Sequence, residues 1–173
     1  TKKQAKDIVK LAAEKAGQPY VTERWIGGML TNVATINAQI KKLKDLEKRM
    51  ASGDLEKRYN KLEVQRFQEE IDVLNSRYGG IKDLMGKPGA VVVVDAAVDA
   101  NAVREANVLG VPVFGVVDTN VNPTDVTYVV PGNDDAIKGL QLLLDYFAQA
   151  VAEGAGSVKK ADEKPVKKRR SKV

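Results

Sequence analysis

The sequence predicts an open three-layer α/β domain interrupted by an antiparallel helical hairpin, and three observations carry that prediction. Beyond Pro88, runs of β-branched residues alternate with helical patterns, which is the signature of a covered parallel sheet. Before residue 79, two long charged segments carry narrow apolar seams at near-heptad spacing. Paired glycines at 27–28 and 79–80 set those segments off from what surrounds them.

Taken in order, Thr1 and Gln4 have the spacing of a capping box. Ile8, Val9, Leu11, Ala12 and Ala16 continue it as an amphipathic helix that stops at Gly17. A chain opening directly on a helix cap, without an initiating Met, is expected to be a cut piece preceded by a strand and loop. Arg24 to Asn32 must be a loop, because Gly27 and Gly28 would break either regular element. Ile36, Ile40, Leu43, Leu46 and Met50 then mark a helix from about Thr31 to Ala51. After Ser52-Gly53, Val64, Phe67, Ile71, Leu74 and Tyr78 mark a third helix running to about Tyr78. Ala90 to Val94 reads as a strand buried on both faces, Asp99 to Leu109 as a helix, and Val111 to Val117 as a second strand. The stretch before Tyr128-Val129-Val130 is too short for a helical crossover, so an irregular connection is expected. Pro131 to Asp135 caps a last helix with Ile137, Leu140, Leu144, Phe147 and Val151 on its buried stripe. The expected organisation is α/β at 1–33, the hairpin at 34–79, α/β again at 80–153, and a disordered basic tail at 154–173.

Composition narrows the function. The chain has 173 residues, 43% of them hydrophobic, enough for a real core. It contains neither cysteine nor histidine. That removes disulfides, thiol nucleophiles, the commonest general base and the usual zinc ligands. It also fits a reducing, cytosolic setting. No run of about 18 apolar residues occurs, so no membrane-spanning helix is expected. The net charge of +5 is a property of the tail: residues 159–172 hold eight basic and two acidic side chains, leaving the body near neutrality. Any nucleic-acid surface on the body must therefore be local.

Arg24-Trp25-Ile26-Gly27-Gly28-Met29-Leu30-Thr31-Asn32 closely resembles a signature segment of the bacterial small-subunit ribosomal protein S2 family. Pro88 to Pro112, with its valine run, Asp95, Asp99, Val103, Glu105 and Gly110-Val111-Pro112, resembles the family's second pattern. Gly79 to Asp83, Asp118-Thr119-Asn120 and Pro131 to Ile137 follow in the family's order, and the likeness runs from Thr1 to Glu153. Val33 departs from it, standing where an aromatic residue is common, and the family's N-terminal strands are missing before Thr1. The resemblance implies a Rossmann-like or flavodoxin-like domain with a protruding coiled coil. It also implies a cytoplasmic, ribosomal location between head and body of the small subunit. The implied partners are 16S rRNA and neighbouring small-subunit proteins, including the large mRNA-binding protein S1. No enzymatic activity, cofactor or metal is implied.

The loop is the leading RNA-contact expectation. Gly27 and Gly28 would let the backbone approach a phosphate and offer N–H groups. Arg24 would supply a bidentate fork, Trp25 a stacking face, and Thr31 and Asn32 donors to phosphate or sugar. In the competing reading, Trp25 and Met29 anchor the loop in the core. Lys41 and Lys42 could meet RNA from the hairpin, although the near balance of charges there also fits a solvated face. Lys168, Arg169 and Arg170 in the tail suit phosphate neutralisation.

Two other function classes compete. A nucleotide- or sugar-phosphate-binding enzyme would use the strand end at Asp118-Thr119-Asn120, with Asp118, Asp134 and Asp135 holding Mg²⁺. Neither a Gly-x-Gly-x-x-Gly turn after a strand nor a Walker-type phosphate loop supports it, and turn formation and helix capping account for the same aspartates. A protein–protein scaffold would use the hairpin alone.

Overall fold

A computed structural model describes residues 1–84 and 86–162, with side chains described through residue 155. At its centre three strands, β1 (Val91–Val93), β2 (Val113–Val117) and β3 (Tyr128–Pro131), pair side by side in chain order, both pairs parallel. Val92 lies opposite Phe114, and Gly115 opposite Val129. Among the described residues only β2 has a neighbour on each side. Val113 and Val116, on opposite faces of it, are 0% and 1% exposed. The expected strand covered on both faces is met only at its C-terminal end, where Val93 and Val94 are buried in opposite cores. β1 itself is a three-residue edge strand, and Val92 is 43% exposed. Between β2 and β3 a 3-10 turn at Pro123–Asp125, with the Asn122 side chain accepting from the Thr124 N–H, makes the irregular connection.

One face of the sheet is covered by α1 (Lys6–Ala16) and α6 (Ile137–Asp162), which pack on each other. Ala5, Val94, Val116, Leu140 and Leu144 form their shared core. On the other face, α5 (Ala100–Val108) brings Val103 and Ala106 onto Val93, Val113, Val117 and Val126. The alternation of Val93 with Val94 and of Val116 with Val117 between the two cores is the two-residue period of a strand. Three layers result.

The helical unit consists of α2 (Val33–Ala51), the short α3 (Asp54–Arg58) and α4 (Lys61–Tyr78). Ile36, Ile40, Leu43 and Leu46 of α2 meet Ile71, Leu74 and Tyr78 of α4 in a core of their own, with Met50 and Phe67 packed against it. The continuous third helix expected after Gly53 is broken at Tyr59, whose backbone is extended. The reason is Asn60. Its Oδ1 accepts from the Glu63 N–H at 2.9 Å while the Glu63 carboxylate accepts from the Asn60 N–H at 3.1 Å, so a fresh helix starts here. The break lets Leu55 turn inward, fully buried, and brings Tyr59 edge-on to Phe67.

Two further expectations fail. The Thr1–Gln4 capping box does not form, and α1 begins at Lys6 behind an uncapped Ala5. The Thr1 hydroxyl instead donates to Asp99 at 2.7 Å, which draws the first residues onto the strand ends. Ile137, assigned to a buried stripe, is 53% exposed in the first turn of α6. That helix runs past Gly154 to Asp162, and the rest of the expected 154–173 tail lies outside the described residues.

Candidate nucleic-acid interface

Residues 24–32 run from exposed Arg24 and partly buried Trp25 to the N-cap of α2, and one carboxylate organises them. Glu105, half-buried on α5, receives five hydrogen bonds from this loop. Its Oε1 accepts from Trp25 Nε1 at 3.1 Å and from the Gly28 N–H at 2.8 Å. Its Oε2 accepts from the N–H groups of Leu30 and Thr31, at 3.0 and 3.1 Å, and from the Thr31 hydroxyl at 3.0 Å. Burial by itself would raise the Glu105 carboxyl, but the donors from Gly28, Leu30, Trp25 and Thr31 outweigh it and hold the group below its ordinary range.

The local backbone makes this possible. Gly28 sits at φ 92°, where an added Cβ would come 3.0 Å from the Asn32 Cβ. The Asn32 N–H closes the bend onto the Gly28 carbonyl at 2.8 Å. With a positive φ at this point, successive N–H groups converge on one spot, forming a small anion-binding concavity. Met29 is buried in the helical core, Leu30 in the sheet core, and Trp25 packs against both. The loop is thus the joint between the two cores.

These facts reassign several expected contacts. The N–H of Gly28, the hydroxyl and N–H of Thr31 and the indole N–H of Trp25 already serve Glu105, so they are not free for phosphate, and Trp25 is a core anchor rather than an open stacking face. Arg24, Gly27 and Asn32 remain exposed on the outer side of the loop. Arg24 has no ion pair among the described residues. Lys41 and Lys42 are exposed on α2, and Lys42 pairs with Glu70 of α4. Lys168, Arg169 and Arg170 lie outside the described residues. Arg24 and Asn32 are thus exposed polar residues of the same loop, while Lys41 and Lys42 stand apart from it on α2.

A second polar cluster sits where β1 and β2 end. Asp118, just past β2, accepts from the Thr119 and Asp134 N–H groups, which hold it below its ordinary range. Lys2 Nζ reaches Asp134 at 2.6 Å, Asp135 at 2.8 Å and Asp95 at 3.1 Å. Burial would lower the Lys2 ammonium, but its bonds to Asp134, Asp135 and Asp95 hold it above its ordinary range. For Asp95 burial acts upward and is outweighed by donors from Val98, Lys2 and Ala97, which leave it lowered. The aspartates considered above for Mg²⁺ thus already face a protein cation. Among the described residues no group of three or more His, Cys, Asp or Glu is arranged to hold a metal ion.

Sequence reasoning missed the roles of both Glu105 and Lys2. The only local signal for Glu105 is an acid placed between Ala102, Val103 and Ala106, all buried. For Lys2 no local signal exists, because its partners lie 93 and 132 residues away.

Fold and site together define a Rossmann-like parallel α/β protein that carries a separate helical core beside a carboxylate-tied loop. The family model described as Ribosomal protein S2 matches residues 1–154, and the chain belongs to that family. It is 45% identical over 154 residues to the small ribosomal subunit protein uS2 of Fusobacterium nucleatum subsp. nucleatum. That alignment takes in 89% of this chain and 62% of the relative, so the chain spans less than two thirds of the relative's length.

Proposed function

We propose that this chain is a structural constituent of the small ribosomal subunit that binds 16S rRNA in the cytoplasm between head and body. Membership of the S2 family over residues 1–154, a stretch that takes in both the loop and the helical unit, carries this reading. On the loop, exposed Arg24 offers a planar fork for phosphate oxygens, and exposed Asn32, at its far end in sequence, a short polar side chain. The three-layer platform holds that loop in place, so little ordering is needed when RNA arrives. In this reading α2 and α4 act as an inserted antiparallel coiled-coil arm reaching neighbouring subunit proteins, with exposed Lys41 adding a long-range charge. Lys168, Arg169 and Arg170 supply further phosphate neutralisation from the C-terminal segment. Recruitment of the large mRNA-binding protein S1 belongs to the same assembly role.

Co-sedimentation with small subunits in rising salt tests the reading. The chain should pellet with subunits at low salt and be released progressively as counterions compete for phosphates. Recovery only in RNA-free fractions at every salt concentration would defeat it.

A further inference from the structure

We propose that Glu105 is the positioning residue of the RNA-facing loop, an internal anion that fills the glycine bend and fixes both the direction of Arg24 and the departure of α2. This rests on the RNA-binding reading above and adds to it a residue that itself touches no RNA.

The geometry carries the inference. A carboxylate offers about four lone-pair sites, and five donors from the loop converge on this one. The donors come from 74 to 80 residues away in sequence, so the bonds tie the loop to the sheet layer rather than to itself. Converging backbone N–H groups, here those of Gly28, Leu30 and Thr31, and a positive φ are also how proteins cradle a phosphate. Here the cradle is already occupied, and an RNA phosphate could enter only by expelling Glu105. The bend therefore works at one remove. It holds an acid of the protein, and that acid orients the outward residues. Thr31 is two residues before Val33, where α2 begins, so the same carboxylate sets how the helical unit leaves the sheet. Trp25, bonded to Glu105 and packed against both cores, transmits the constraint to each.

The test uses the whole chain with Glu105→Gln, Glu105→Ala, Arg24→Ala and, as a control on the same helix, Arg104→Gln. Two quantities are read: amide hydrogen exchange at Gly28, Leu30 and Thr31, with β2 as internal reference, and affinity for a 16S rRNA transcript. Both Glu105 variants should speed exchange at the three loop amides and weaken RNA binding, each about tenfold, while β2 stays protected. The Gln variant keeps one acceptor but turns an NH₂ towards two N–H groups, so equal volume gives no protection. Acetate, and not chloride, should restore both quantities in Glu105→Ala by re-entering the vacated concavity. Arg104→Gln should change neither. If Glu105→Ala does not fold, the isosteric Gln variant decides. Loop amides that stay protected in Glu105→Gln overturn the proposal. So do freed amides with unchanged RNA affinity, provided that Arg24→Ala weakens binding. If Arg24→Ala also binds unchanged, the assignment of the loop to RNA falls, and the positioning role falls with it.

Discussion

The ammonium of Lys2 lies 2.6 Å from Oδ1 of Asp134, and Oδ2 of the same carboxylate is buried with no hydrogen-bond partner among the described residues. Asp134 is 2% exposed and Asp95, on the same ammonium, 3%. Two buried carboxylates beyond the strand ends are thus compensated in large part by one cation from the chain's first residues. Lys2→Met removes that cation, leaving Asp95 with only the Ala97 and Val98 N–H groups and Asp134 with no side-chain partner among the described residues. A loss of about 3 kcal/mol in unfolding free energy is expected from urea titration. Adding Asp134→Asn should cost less than the two single changes combined, because the second change removes a charge the first has stranded.

The pH profile follows from the directions of the shifts. Glu105 and Asp95 are held below their ordinary values of 4.5 and 3.8. Their contribution is fully present above those values and is lost as the pH falls through the lowered folded values. Lys2 is raised from 10.5, so its contribution is present below that value and fades as pH rises through the folded one. Chemical denaturation across pH should show a plateau between about pH 5 and about pH 10, with an acid limb that is shallower in Glu105→Gln. An identical acid limb in that variant would show that the loop donors do not favour the carboxylate.

At Gly80 an added Cβ would lie 2.2 Å from the Tyr20 carbonyl oxygen, and the Tyr20 N–H in turn donates to the Gly80 carbonyl at 3.0 Å. Gly80→Ala must push the two strands of backbone apart. It is expected to lower the thermal midpoint by several degrees, about 2 kcal/mol, through overpacking. Gly27→Ala, where nothing lies within 4 Å of the new carbon, should stay within about 0.5 kcal/mol of the parent.

Arg24→Glu should weaken co-sedimentation with small subunits more than Lys164→Glu, by roughly tenfold, because the first sits on a loop ordered in advance. Equal losses would mean that net charge alone governs binding.

The seams Ile36–Met50 and Val64–Tyr78 were legible in the sequence because a helix repeats its neighbours every three to four residues. The valine runs were legible because a strand in a parallel sheet has little polar exposure. The division of the third helix at Asn60 was also written locally, in a capping box with Glu63 that the regular apolar seam obscured. The exposure of Val92 was not, since it depends on how far the helices packed on that face extend over the strand.

The sequence by itself determined the α/β class, the separate helical core and the position of the glycine bend, all of which follow from short-range periodicity and backbone freedom. Only the tertiary structure decided which anion fills that bend and which cation closes the strand ends. Glu105 meets donors at least 74 residues away, and Lys2 meets carboxylates at least 93 away. A hydrogen bond over such a separation leaves no local pattern, because it depends on where two surfaces come to rest after their apolar faces have packed.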